Sequence, residues 1–156
     1  MQAHFAAVCA RLKMLSSSGL ITQVSHDAYR AGLTELFPPG PVAYLPGSRR
    51  LAGVRLRELA VHPTCARLPL RWEATGPAGA RFAVLDADLT LTADGETASV
   101  LALTGSYRLA PDPADTMLDP QAEQRCAART FHSFLSQLRC AIDHPAGRVQ
   151  LRILAS

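Results

Sequence analysis

At 156 residues, 48% of them hydrophobic, the chain has the length of one domain and can bury about two-thirds of its unfolded surface, which argues against disorder. Its 16 basic and 13 acidic residues leave a net charge of +3 spread along the chain, with Lys13 the single lysine, so no clustered footprint of a nucleic-acid binder is present and no nucleic-acid partner is expected. No run reaches about 18 apolar residues and the first residues lack the basic start and apolar centre of a secretory signal, so neither a membrane span nor a leader is expected.

Phe5, Val8, Cys9, Leu12 and Leu15 recur at helical spacing and predict an amphipathic helix over residues 3–15, ended by Ser16-Ser17-Ser18-Gly19. Leu20 to Val24 reads as a short β-type run. Ser25 then reads as the N-cap of a second helix, with Asp27 in its first turn and an apolar stripe of Tyr29, Leu33, Leu36 and Phe37. Pro38-Pro39-Gly40-Pro41 stops that helix. After a loop at residues 44–48, Leu51 to Val61 returns to strand character with imperfect alternation, which predicts an edge strand or a bulge.

Three consecutive runs then alternate cleanly. Leu68, Leu70, Trp72 and Ala74 face one way and Arg67, Arg71 and Glu73 the other. Leu85, Ala87, Leu89 and Leu91 oppose Asp86, Asp88, Thr90 and Thr92; Leu101, Leu103, Tyr107 and Leu109 oppose Thr104, Ser106 and Arg108. Period-two alternation of this kind marks strands buried on one face. Gly76-Pro77-Ala78-Gly79 is the turn between the first two. For the turn at Asp94-Gly95, a two-residue loop would put the leucines of neighbouring strands on opposite faces, so an odd loop is predicted, pairing Leu89 with Leu101 and Ala87 with Leu103.

A connector rich in Pro and Asp over residues 112–118 leads to Asp119, a predicted N-cap, and Pro120 at the first helical position. The last helix is predicted to run to about Asp143, its apolar face formed by Ala127, Phe131, Phe134, Leu138 and Ile142. Residues 148–154 alternate like a strand without an evident partner, either a tail or an extra edge strand. The division expected is an N-terminal amphipathic helix over 1–19, an α+β domain over 20–145, and a C-terminal tail over 146–156. A one-faced antiparallel sheet needs a cover, and the last helix supplies it.

Two segments carry a family resemblance. Residues 21–33 (ITQVSHDAYRAGL) look like an opening strand, capped turn and helix; residues 70–76 (LRWEATG), 82–91 (FAVLDADLTL) and 103–108 (LTGSYR) look like the following strands. Together, over residues 20–143, the chain resembles uncharacterised bacterial members of the START-like, or SRPBCC, polyketide cyclase/dehydrase-like superfamily. The resemblance implies a helix-grip fold, a curved antiparallel β-sheet wrapped around a long C-terminal α-helix, with an apolar cavity between them. The helix at residues 3–15 precedes the family's usual first strand, and one small opening helix is not evident in the sequence after Phe37.

Trp72 and Tyr107 on inward strand faces, and Phe131 and Phe134 on the last helix, either fill the core or line a pocket with Leu70, Leu103 and Leu138; the resemblance favours the pocket. Asp86 and Asp88 share the outward face, where salt bridges to Arg71 or Arg108 suit them better than acid–base work. His4, His26, His62, His132 and His144 form no ligand pattern, no C-x-x-C pair joins Cys9, Cys65, Cys126 and Cys140, and no nucleophile elbow, P-loop or dinucleotide fingerprint is present, so no catalytic residue, metal or cofactor is expected. Cys9, Cys126 and Cys140 fall in helical patterns where a small buried thiol is common, and all four cysteines read as reduced thiols of a cytoplasmic protein.

The function expected is binding of a small hydrophobic molecule, such as a lipid, an isoprenoid or a polyketide-like compound, without catalysis. One alternative is an aromatase/cyclase-like enzyme acting on a poly-keto chain, with Tyr107 or Arg71 polarising a carbonyl. The other is a protein-interaction module, with the stripe of the first helix either docking a second copy as a homodimer or packing on its own domain.

Overall fold

The computed structural model of the chain describes residues 3–36, 50–75, 81–109, 119–143 and 148–155. The element order is α1 (Ala3–Ser17), α2 (Leu20–Leu36), β1 (Arg50–Leu56), β2 (Ala60–Val61), β3 (Cys65–Thr75), β4 (Arg81–Asp94), β5 (Ala98–Leu109), α3 (Pro120–Ile142) and β6 (Arg148–Ala155). Strand order is β1-β3-β4-β5-β6, with β2 pairing β3 beyond the end of β1. Every pairing is antiparallel except β5 with β6, which α3 joins as parallel neighbours. The architecture is α+β, an open curved sheet holding a C-terminal helix with two N-terminal helices beside it, consistent with a helix grip.

The first helix forms where its stripe requires. Phe5, Val8, Cys9, Leu12 and Leu15 are all buried and belong to the one hydrophobic cluster shared by sheet and helices. The stripe considered for docking a second copy is therefore used on the chain's own core. Hydroxyls of Ser16 and Ser17 donate to the carbonyl of Lys13, and that of Ser18 to the carbonyl of Leu15. Gly19, at φ 78°, then breaks the helix in the left-handed region that side chains avoid.

The expected strand at Leu20–Val24 is instead the first turn and a half of α2. Ile21, Val24, Ser25, Ala28, Tyr29, Gly32 and Leu33 are buried at alternating spacings of three and one, a helical face that packing enforces over the strand preference of Ile and Val. Ser25 is consequently no N-cap. Its hydroxyl donates to the carbonyl of Ile21 at 2.7 Å, inside the helix. Asp27 accepts from the side chain of Gln23 at 3.1 Å. Phe37, the proline run after it, the turn at 76–79, the connector at 112–118 and His144 lie outside the described residues.

β1 is both things its imperfect alternation suggested, an edge strand and a bulged one, with the register shift between Leu51 and Gly53. β3 alternates with Ala66, Leu68, Leu70, Trp72 and Ala74 buried. Asp94 pairs with Ala98, so the β4–β5 loop holds three residues, opened by Gly95 at φ 67°. The loop is odd, as predicted, but the pairing lies two residues further on: Leu89 faces Leu103, Leu91 faces Leu101, and Ala87 faces Gly105. A shift of two keeps every leucine inward, so alternation alone cannot distinguish the registers. The close approach at Gly105 can, because a Cβ there would collide with the backbone of Asp86 and Ala87.

Asp119 caps α3 by accepting from the backbone N–H of Gln121 at 3.0 Å, with Pro120 behind it. The helix buries more than the predicted stripe. Cys126, Thr130 and Leu135 are buried beside Phe134, Leu138 and Ile142, while Ala127 and Phe131 are half-buried. The extra face packs on α2, where Gly32 leaves room for the Thr130 hydroxyl, itself bonded to the carbonyl of Cys126 at 2.8 Å. Residues 148–155, left open between tail and edge strand, form the edge strand β6.

Candidate functional site

Strand alternation and helical period bring all seven expected ligand residues to one interface. Trp72 pairs with Leu85, and Leu85 with Tyr107, so the two rings stand in one row across three strands, about 10 Å apart. Above them, Phe131 and Phe134 are one helical turn apart. Phe134 meets Trp72 edge to face with centroids 5.3 Å apart, and Phe131 meets Tyr107 likewise at 5.4 Å.

The two ring pairs differ in burial. Trp72 is 1% exposed, Phe134 and Leu138 0%, Leu70 2% and Leu103 4%, and their side chains pack on each other as core. The indole N–H of Trp72 has no hydrogen-bond partner among the described residues. Tyr107 and Phe131 are half-buried at the rim. Tyr107 there lines a cleft of about 310 Å3 with Arg108, Leu109, Glu123, Gln124 and Ala127. Sequence reasoning missed Glu123 and Gln124, which sit on the first turns of α3, and the part played by Arg108 at the end of β5.

Burial, with the Cys126 thiol 4.0 Å from the phenol oxygen, pushes the Tyr107 hydroxyl above its ordinary range and keeps it neutral. Burial likewise raises the Cys126 and Cys9 thiols. All four cysteines are free; Cys140, expected on a buried pattern, is exposed on α3. The group is thus a neutral hydrogen-bonding phenol beside a thiol held in its protonated form.

These raised values set a pH dependence. A group that holds its proton more tightly when folded contributes stability that is complete below its unfolded pKa and is lost as pH rises beyond it. Stability is therefore expected to decline from about pH 9 upward, where unfolded cysteine and then tyrosine ionise. Urea unfolding across alkaline pH checks this: Tyr107→Phe should flatten the loss above pH 10.0, and an unchanged slope would contradict it.

On the opposite face of the sheet, Asp86 and Asp88 point outward as expected. Arg71 bonds Asp86 at 3.1 Å and Glu73 at 3.0 Å. Arg67, and not Arg108, holds Asp88, at 2.5 Å. All are solvent-accessible, and each pair contributes about 0–1 kcal/mol. Among the described residues, no group of three His, Cys, Asp or Glu side chains is placed to hold a metal ion, and no helix is long and apolar enough to cross a membrane.

The class these features define is an α+β protein with a helix-covered sheet and an aromatic cleft at its rim. Compared with family models, curated proteins and solved structures, the chain matches none of them.

Proposed function

We propose that this chain is a START-like pocket protein that binds a small hydrophobic molecule, such as an isoprenoid, a lipid fragment or a polyketide-like compound, without transforming it. The observation that carries the reading is the half-buried Tyr107–Phe131 pair at the edge of the sheet–helix interface, Tyr107 lining the cleft. An apolar body would rest on Leu109, Ala127 and the Tyr107 ring, which Phe131 supports edge to face; Arg108, Glu123 and Gln124 would hold a polar end at the rim. The cleft's volume, about 310 Å3, is at the small end of the usual 300–1,000 Å3 range for ligand sites. The neutral phenol supplies a donor for a carbonyl or hydroxyl. Four free thiols fit a cytoplasmic, reducing setting for this binding.

The open curved sheet and long C-terminal helix support the START-like reading, and the helical course of residues 20–36 departs from it. The enzymatic alternative needs Tyr107 to polarise a carbonyl; its hydroxyl could donate a hydrogen bond there, but its raised pKa makes it a poor acid.

Displacement of an environment-sensitive dye, with native mass spectrometry of the protein as purified, tests the proposal. The full chain should bind the dye, and Ala127→Trp, which fills the cleft from the half-buried side of α3, should abolish binding while the fold persists. Absence of bound apolar material together with absence of dye binding would overturn the proposal, as would undiminished binding by Ala127→Trp.

A further inference from the structure

The outer face of the sheet carries a feature that binding at the cleft leaves unused. Strand register sets Arg55 of β1 directly opposite Arg71 of β3, and Arg71 opposite Asp86 of β4. Like charges facing each other across a strand pair are destabilising. Arg71 is compensated by Glu73 and Asp86, and Arg67 by Asp88. Arg55 and Arg57, both exposed, form no ion pair with any of the described residues.

These arginines border a depression of about 480 Å3. It exists because the outward residues at its floor, Pro69 and Thr104, are short, while Arg55, Arg57, Arg67 and Arg71 stand around them. β1 is an edge strand, and the backbone N–H of Arg57 still bonds the carbonyl of Pro69 at 2.9 Å, so both arginines are held against the sheet.

We propose that this face is a docking surface for an extended acidic segment of a partner protein. Arg55 and Arg57 lie two positions apart on extended chain, about 6.5 Å along it, which is the repeat of alternate side chains on an extended peptide. Alternate carboxylates on the partner match that spacing and relieve the Arg55–Arg71 repulsion. The depression also presents Asp86 and Asp88 on β4, so a uniform polyanion such as a nucleic acid would meet two carboxylates along with the arginines. A peptide, which can place its charges residue by residue, avoids them.

Fluorescence anisotropy of a labelled Ser-Glu repeat peptide with the full chain, at low ionic strength, tests this. Binding should weaken with salt, as contacts between exposed charges do. The double variant Arg55→Ser/Arg57→Ser should bind about tenfold more weakly, about 1.4 kcal/mol, with a thermal midpoint no lower than the parent's and unchanged dye binding at the cleft. Arg30→Ser, an exposed arginine of α2, should bind like the parent. In the charge-reversed variant Arg55→Glu/Arg57→Glu, preference should pass to a Ser-Lys repeat peptide. The proposal is overturned if the parent fails to bind, if Arg30→Ser weakens binding as much as the double variant, or if inorganic phosphate or oligo-thymidine competes as well as the acidic peptide.

Discussion

Phe134→Ala is expected to lower the free energy of unfolding by about 3–5 kcal/mol. The ring is 0% exposed and stands edge-on to Trp72 at the centre of the sheet–helix interface, so its removal leaves a cavity whose walls are a strand row and a helix that cannot readily close on it. Phe131→Ala, three residues earlier on the same helix, removes a half-buried ring paired with the tyrosine at the cleft and should cost about 1 kcal/mol. Urea unfolding measures both. Added apolar ligand should stabilise the parent more than Phe131→Ala, because only the latter has lost the ring that supports Tyr107 in the cleft. A full core penalty at both positions with no ligand effect would make the rings filling and leave function to the surface.

Gly105→Ala should be nearly as damaging, at about 3 kcal/mol, the upper part of the range for overpacking. A Cβ at this position would collide with the carbonyl oxygen of Asp86 and lie 2.5 Å from both the Cα and the Cβ of Ala87. These are backbone atoms and a methyl group of the neighbouring strand, and no rotamer change relieves them. β4 and β5 would have to separate where Ala87 and Gly105 pair, breaking the central ladder of the sheet. Gly53 on β1 is the control: a Cβ there meets nothing within 4 Å, and Gly53→Ala should stay within about 0.5 kcal/mol of the parent. Equal urea midpoints for the two variants would contradict the close approach.

What could be read from residues alone followed the range of the physics behind each signal. Alternation in β3, β4 and β5 reports which face is buried, and Trp72, Tyr107, Phe131 and Phe134 could be assigned to one interface from period alone. Register was ambiguous by two, because Leu89, Leu91, Leu101 and Leu103 satisfy either pairing; the choice rests on Gly105 against Ala87, a contact visible only once the strands are side by side. Leu20–Val24 misled because Ile and Val favour strands locally, whereas a burial face continuing to Leu33 made the segment helical. Thr130 and Leu135 escaped notice because their partner helix lies about a hundred residues earlier in the chain. Whether the rings would touch or enclose a cavity depends on how deeply α3 sits on the sheet. Asp88 found Arg67 rather than Arg108 for a similar reason: cross-strand neighbours are set by register, not by face.

The seating of Gly32 beneath Thr130 also orders events during synthesis. A ribosome adding about 5–20 residues per second takes roughly 5–20 s to advance from Leu36 to Ile142. Throughout that interval the apolar side of α2, with Ile21, Val24, Tyr29 and Leu33, waits without the helix that covers it. The nascent chain therefore carries an uncovered greasy surface while about a hundred residues are added, and α1 and α2 reach their final burial only when α3 emerges.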